Sequence, residues 1–270
     1  MSLATSSIIL RRVDFSEYDY IIDFLTRDHG KVSAIAKNAK KSRKRFAGIL
    51  EPFSCIEANF SVSKRGGNLL LLKEAVLTYP FAGLRNDPEK VAYASYWSEM
   101  INRWVVSGGF QQDLFPLFFH VLTLLDADVA SRETVSLLFQ TRFMNLAGMS
   151  PELTYCRACR RPLDDMAESQ ILFDIAMGGL VCGTCIPSVP VTCSVFISKG
   201  AIKQLLWLKE GNLQKAGRIQ LTTAAKREGS AAMEMFVPFH LATEIKSLKV
   251  LRCLREWRRK DNAAKYKEAS

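Results

Sequence analysis

Two Cys-x2-Cys turns, Cys156-Arg-Ala-Cys159 and Cys182-Gly-Thr-Cys185, stand 22 residues apart in a chain of 270. Each turn presents two thiolates about one tetrahedral edge apart, and two such turns close a four-sulfur zinc site. The separation is slightly above the usual ribbon range of roughly 15–20 residues. The stretch between them reads as a hairpin, with Gln170 to Ile175 as one strand, Gly178-Gly179 as the turn, and Leu180-Val181 leading into the second pair. Cys55, Cys193 and Cys253 bring the total to seven, and an odd count with four tightly paired is not a disulfide framework. Clustered pairs in a reducing compartment point instead to metal ligands. A redox Cys-x-x-Cys comes singly, beside a strand and helix. A catalytic zinc keeps an open position, often with a His and an acid nearby, whereas His29, His120 and His240 all lie far from these cysteines in sequence. The expected site is therefore closed and structural. It would hold together a weakly cored module at about 152–195, since ligand-binding energy is folding energy. Cys55, Cys193 and Cys253 sit among apolar neighbours and are expected in the core.

The length suggests two domains at roughly 150 residues each. Apolar residues at 48% and charged residues at 24% are globular values. The net charge of +10 is uneven. Residues 1–80 carry 13 basic and 8 acidic side chains, and residues 239–270 carry 9 and 4, while residues 81–150 carry 5 and 7. Basic ends around a neutral middle point to a polyanion partner. The longest apolar run, Leu114 to Leu125, contains His120 and falls short of the ~18–20 residues that span a membrane. Residues Met1 to Leu10 carry no secretory pattern, so a cytoplasmic place is expected. Neither Gly-x-x-x-x-Gly-Lys-Ser/Thr nor Gly-x-Gly-x-x-Gly occurs, which speaks against an ordinary nucleotide site. No Gly-x-Ser-x-Gly elbow and no carboxylate cluster suggests catalysis.

Up to residue 80 the patterning predicts strands at Ser7 to Asp14, Tyr18 to Arg27, Lys31 to Lys37, Phe53 to Ser63 and Leu69 to Tyr79. Turn signals separate them at Asp14 to Glu17, Asp28-His29-Gly30 and Arg65-Gly66-Gly67-Asn68. Five short strands suit an OB-type barrel, with an SH3-like barrel as the competing fold. After Pro80 the period becomes 3.6, with helical stripes through Ala94, Trp97 and Ile101, then Leu114 to Leu125, then Val135 to Ala147. These predict one helical bundle with its aromatic residues in the core. Ser131 is a plausible N-cap, Gly148 with Pro151 a stop, and Ser198 the cap of a further helix ending at Gly211. Residues 212–235 are weakly periodic, and a final helix is expected from about Phe239 to Lys260, fraying beyond.

Lys37, Lys40, Lys41, Arg43, Lys44 and Arg45 place six positive charges in nine residues between the third and fourth strands. A solvated loop and a phosphate-gripping loop both fit. Six phosphate contacts on one strand would give a salt slope of about −4. Tyr18, Tyr20, Phe24, Phe46, Phe53 and Phe60 are the nearby aromatics, several of which must be core. On the final helix Arg252, Arg255 and Arg259 share one face and Val250, Leu254 and Trp257 another. That pattern fits both a docking helix with a basic exterior and a DNA contact.

Together these pieces resemble the RecO family of bacterial recombination-mediator and DNA-repair proteins. The resemblance is carried by Ser16-Glu17-Tyr18-Asp19 with Thr26-x-x-x-Gly30-Lys31, by Ala36-Lys37-Asn38-Ala39-Lys40-Lys41, and by Arg45-Phe46 with Gly48-x-Leu50-Glu51-Pro52-Phe53. It continues through Phe139 to Leu146, Gly148, Pro151, Leu153 and Cys156, then Phe173 with Gly178-Gly179-Leu180-x-Cys182, and Lys246-Ser247-Leu248-Lys249. The family usually has Gly where Asn38 stands, and Asn is the next most tolerant of positive φ. The resemblance implies an α+β protein: a five-stranded OB-type barrel over 1–80, then a helical domain over 81–270 with the four-cysteine zinc module inserted. It implies binding of single- and double-stranded DNA, annealing of complementary strands without ATP, and a nucleoid-associated place in the cytoplasm. It also implies two protein partners, RecR and the acidic C-terminal tail of single-stranded-DNA-binding protein (SSB), and help in loading RecA. Because residues 81–150 are acidic overall, the basic contacts to the tail would come from elsewhere in the chain, or from isolated Arg103, Arg132 or Arg142. The rivals are another zinc-ribbon and barrel factor of transcription or translation, and a nuclease.

Overall fold

Period-two patterning becomes five strands: β1 (Ser2–Phe15), β2 (Asp19–Thr26), β3 (Gly30–Ala36), β4 (Cys55–Val62) and β5 (Leu69–Tyr79). The structure is a computed structural model that describes residues 2–62, 69–106, 109, 111–190 and 192–268. The expected turn Arg65 to Asn68 lies outside the described residues. β1 begins at Ser2 rather than Ser7 because one long strand serves two neighbours. Its first half pairs with β4 and its second half with β2. A register shift between Ile9 and Arg11 bends it between the two tasks. The strand order β1-β2-β3-β5-β4 closes into a barrel, with β3 and β5 parallel. That is the Greek-key barrel of the OB type, not the SH3-like alternative. Its interior is filled by Ile9, Ile22, Phe24, Ile56, Phe60 and Leu72, with Phe24 and Phe60 edge-to-face at 5.2 Å.

Three helices follow: α1 (Ala82–Arg85), α2 (Pro88–Trp104) and α3 (Leu114–Asp126). Asp87 caps α2 by accepting from the N–H groups of Glu89 and Lys90, and Pro88 takes the first helical position. Tyr93, Tyr96 and Trp97 are fully buried, as core aromatics should be. The barrel and these helices form one compact unit, Met1–Asp126, completed by Ile245–Ser270. The latter segment is α8 (Lys246–Glu268). Leu248 and Leu251 of α8 are buried, and the Glu99 carboxylate accepts from the N–H and Oγ of Ser247 at 2.9 and 2.7 Å.

The second unit, Ala127–Glu244, holds α4 (Arg132–Leu146), α5 (Lys199–Glu210), α6 (Leu213–Ala216), α7 (Thr223–His240) and a sheet of β6 (Gln170–Asp174), β7 (Gly179–Val181) and β8 (Ser194–Ser198). Ser131 and Ser198 cap α4 and α5 as expected. The sheet order is β7-β6-β8, all antiparallel.

Several expectations need correction. The helical stripes do not make one bundle: α2 and α3 belong with the barrel, and α4 with α5, α7 and the sheet. Residue 80 is where strand gives way to helix, yet the compact units divide at Asp126 and Ile245. The weakly periodic stretch is helical in α7. Its inward face uses small residues, which carry little hydrophobic signal: Ala225, Gly229 and Ala232 are buried beside Met233 and Phe236. The final helix is two helices, α7 and α8, broken where Ala242 takes a φ of 48°. α8 then continues to Glu268 instead of fraying after Lys260. Of the expected apolar stripe of α8, Leu254 is half-buried, while Val250 is 56% and Trp257 67% exposed. The cysteine module is well cored, because β8 adds an unforeseen third strand. Ile171, Phe173, Leu180 and Ile197 are buried, and Phe173 lies 5.7 Å from Phe236.

A Cβ on Gly229 would meet methyl groups of both Leu137 and Leu205 at 3.2 Å. Gly229→Val should therefore overpack the α4–α5–α7 seam and destabilise by roughly 1–3 kcal/mol. Thermal unfolding followed by circular dichroism measures this. An unchanged midpoint would mean that the seam is looser than its distances indicate.

Candidate metal centre and nucleic-acid interface

The first cysteine pair sits on a turn closed by a bridge between Tyr155 and Pro162. Within it, the Cys156 N–H donates to Arg161 O at 2.8 Å, and Arg160 adopts a φ of 64°. The second pair follows β7 directly, where the Cys185 N–H donates to Cys182 O at 2.9 Å. Hydrogen bonds from Leu180 N to Glu152 O and from Arg157 N to Leu180 O lash the two turns together.

All four Sγ atoms lie within 4.8 Å of one another, and those of Cys159 and Cys182 are 3.7 Å apart. A tetrahedral site with metal–sulfur bonds of about 2.3 Å has edges of about 3.8 Å. The donor set therefore fits a tetrahedral metal ion. Burial opposes ionisation of Cys156, but N–H groups of Cys159, Cys182 and Ala158 directed at its sulfur outweigh that and lower its thiol to about 6. Cys185, hydrogen-bonded with the thiols of Cys159 and Cys182, is pushed up to about 12. His240 is no ligand; its Nε2 pairs with Ile175 O at 2.8 Å. Of the three lone cysteines only Cys55 is core: Cys193 is half-buried and Cys253 exposed, because it lies on the outer side of α8.

The basic segment after β3 is a loop with apolar anchors. Ala39, Phe46 and Leu50 are buried in the barrel core. Ala39–Lys41 forms a short 3-10 turn. Asn38 takes the positive φ expected of it, 55°, with its N–H on Asp19 Oδ1 at 2.8 Å. Ser42 Oγ accepts from the N–H groups of Arg45 and Phe46, both at 3.1 Å, turning the chain back toward the barrel.

The six cations divide by role. Lys40 pairs with Asp14 at 3.3 Å and donates to Ser16 O at 3.1 Å, and Arg45 donates to Lys37 O at 2.6 Å. These two brace the loop. Lys41 lies 3.3 Å from the centre of the Tyr18 ring. Lys37, Arg43 and Lys44 are exposed, with no side-chain partner among the described residues. Phe24, Phe46, Phe53 and Phe60 are buried, so they stack on nothing outside the barrel. Tyr18 and Tyr20 are half-buried beneath cations. Sequence reasoning overlooked Phe15. It is 46% exposed beside Asp14 and Ser16, the two residues Lys40 touches, and its outward register at the end of β1 shows only once the β1–β2 pairing is known. The first barrel turn and the basic loop thus form one surface, with the Lys40 N–H on Tyr18 O at 3.0 Å.

α8 departs from its expected basic face. Arg252 and Arg259 are exposed, but Arg255 is half-buried, its guanidinium 5.7 Å from the Tyr93 ring centre, and Arg258 pairs with Glu89. Two of these arginines therefore help dock the helix on α2. Of the isolated arginines, Arg103 pairs with Glu99 at 3.4 Å. Arg142 donates to Leu208 O at 2.8 Å and also to Gly211 O, closing the end of α5.

Among the described residues no helix is long and apolar enough to cross a membrane. Residues 1–81 match the family profile "Recombination protein O N terminal", and residues 85–249 match "Recombination protein O C terminal". The chain is 48% identical over 258 residues to the DNA repair protein RecO of Desulfosudis oleivorans, covering 94% of this chain and 98% of that protein. It is 42% identical over 256 residues to the RecO of Desulfatibacillum aliphaticivorans, covering 94% and 97%. With the RecO of Syntrophus aciditrophicus the identity is 33% over 247 residues, covering 92% and 94%. With its closed barrel, basic loop and four-cysteine cluster, the chain belongs to the RecO family of DNA repair proteins.

Proposed function

We propose that this protein is a non-enzymatic DNA-binding mediator that anneals complementary single strands during recombinational repair. The observation that carries the reading is the loop at 37–45. Its apolar anchors are buried in the barrel while Lys37, Lys41, Arg43 and Lys44 face outward. Annealing asks for no reacting group. Two polyanions repel, a cationic surface neutralises phosphates and releases counterions, and base pairing does the rest. The turn after β1 and the faces of β2 and β3 are where OB barrels take oligonucleotides. Arg252 and Arg259 of α8 offer a second cationic surface, suited to duplex or to a second strand. The family resemblance adds RecR and the acidic SSB tail as partners, RecA loading as the outcome, and the nucleoid as the place of work.

In this reading the cysteine cluster holds one Zn2+ through Cys156, Cys159, Cys182 and Cys185. Bound zinc supplies fixed geometry to the two turns and leaves no open position for chemistry. The chain's own residues set the turns and clamp them onto Glu152 and β7.

Cys159→Ser should abolish stoichiometric zinc, read by elemental analysis of the purified protein, and lower the unfolding midpoint. A native chain without zinc and with full stability would remove the metal from the account. Changing Lys41, Arg43 and Lys44 together to Ala leaves the braces Lys40 and Arg45 in place. It should flatten the salt slope of single-strand binding by about 2. Fluorescence anisotropy over a salt series is the readout, and an unaltered slope would exclude the loop from the interface. Complementary oligonucleotides coated with SSB should anneal without ATP or added metal, faster than with an unrelated basic protein. Deleting the SSB tail should abolish this effect while bare strands still anneal. Loss on both substrates would remove the tail contact, metal-dependent strand cleavage would favour a nuclease, and preference for RNA over DNA would favour a transcription or translation factor.

A further inference from the structure

The two cysteine turns are held in different ways. Backbone bonds fix the first: Cys156 N–H to Arg161 O at 2.8 Å, Arg160 N–H to Cys156 O at 3.0 Å, and Arg157 N–H to Leu180 O at 2.7 Å. The second, Cys182-Gly183-Thr184-Cys185, closes on itself, with the Cys185 and Ile186 N–H groups on Cys182 O at 2.9 and 3.2 Å. Among the described residues, side chains tie its two middle residues to the rest of the module. Thr184 Oγ1 accepts from Arg161 at 3.2 Å at an exposed position, where water can substitute. The Gly183 N–H donates to Glu168 Oε1 at 2.8 Å.

Glu168 is not a further ligand. It lies outside the group of residues that close on a common centre, and four sulfurs already complete a tetrahedron. Its charge does not suit the neighbourhood either, since a carboxylate repels a cluster of thiolates. Its Oε2 is buried with no hydrogen-bond partner among the described residues, an unfavourable place for a carboxylate oxygen. The backbone nevertheless holds the side chain there. Met166 is buried and its carbonyl accepts from Lys199 Nζ, while Ser169 O accepts from Lys199 N at 3.2 Å. The segment is thus pinned on both sides of Glu168 by one residue, the first of α5.

Gly183 carries the complementary mark. Its φ lies outside the left-handed region, so the backbone does not call for glycine. A Cβ there, however, would overlap Glu168 Oε1 and stand 3.1 Å from the carboxylate carbon. The glycine makes room for the acceptor.

We infer that Glu168 is a positioning residue of the metal centre: its carboxylate oxygen, admitted by Gly183, fixes the second cysteine turn in the orientation that presents Cys182 and Cys185 to the ion, and so raises zinc affinity. The inference rests on the zinc reading above and is independent of the DNA reading. By linkage, the bond raises affinity only by as much as it is stronger in the zinc-loaded chain than in the stripped one.

The test measures zinc affinity of the full chain by competition with a chromophoric chelator, and unfolding midpoints with zinc bound and after stripping. Glu168→Ala should weaken zinc binding roughly 10–100-fold, the usual effect of removing a partner that orients metal ligands. It should lower the loaded midpoint and leave the stripped one in place, whereas a residue that merely stiffened the fold would lower both. Glu168→Gln keeps an acceptor oxygen and should keep the native affinity. Glu168→Asp keeps the charge but falls one methylene short, and should behave like the alanine variant. Gly183→Ala should push the flexible carboxylate aside and weaken binding by a similar factor, yet add little in the Glu168→Ala chain, because two changes that break one bond do not add. The assignment is overturned by equal losses in loaded and stripped chains, by a glutamine variant as weak as alanine, or by fully additive losses at 168 and 183. Native affinity in Glu168→Ala overturns it too and leaves the zinc reading intact. A native chain that takes up no zinc removes the zinc reading and this inference together.

Discussion

Burial of Phe46, Leu50 and Ala39 in the barrel holds in place a loop whose charges push it apart. Two unit charges 7 Å apart in water repel by about 0.6 kcal/mol. Several neighbouring pairs in the 37–45 segment bring the total to a few kcal/mol. Burying one large apolar side chain returns about 1.5–3 kcal/mol, and the loop buries two. The two effects are of similar size, and the ion pair of Lys40 with Asp14 and the Arg45 bond to Lys37 O add to the attraction. The free protein therefore carries electrostatic strain on a surface it cannot collapse. A polyanion lying across that surface relieves the strain, so the arrangement that opposes folding favours binding.

The same barrel depends on residues far along the chain. α8 returns after the whole second unit to pack on α2, through Leu248 and Leu251, the Ser247–Glu99 cap and the Arg258–Glu89 pair. Closing a longer loop costs only about 0.6 kcal/mol per doubling of its length. An entire folded unit can therefore stand between α3 and α8 at little entropic expense. This explains why residue 80 divides strands from helices without dividing the molecule into its compact parts.

The strands were legible because one face of each is buried and the period of two survives in Tyr20, Ile22 and Phe24 or in Ile56, Ala58 and Phe60. The cysteine cluster was legible because its spacing encodes its geometry. α7 was hidden because its seam is made of Ala225, Gly229 and Ala232, which allow close approach yet look featureless to a hydrophobic pattern. The face of α8 was misjudged for the opposite reason: Val250 and Trp257 look like a docking stripe, while the helix docks partly through Arg255 and Arg258, whose long stems and planar groups pack on Tyr93 and Glu89.

Charge counting alone overstates an interface such as this one. The chain's excess of ten positive charges suggests a broad basic surface, yet many of those cations are structural. Lys40 and Arg45 shape the loop, Arg255 and Arg258 seat α8, Arg142 closes α5, and Lys31 ties β3 to α2. An ion already engaged with a carboxylate or carbonyl must give up that contact to meet a phosphate, and so contributes less to counterion release. Among the described residues, Lys37, Lys41, Arg43 and Lys44 of the 37–45 loop still face outward. In the proposed annealing role, a strand held by a few such groups would be gripped loosely, and that looseness would leave each base free to turn toward its complement.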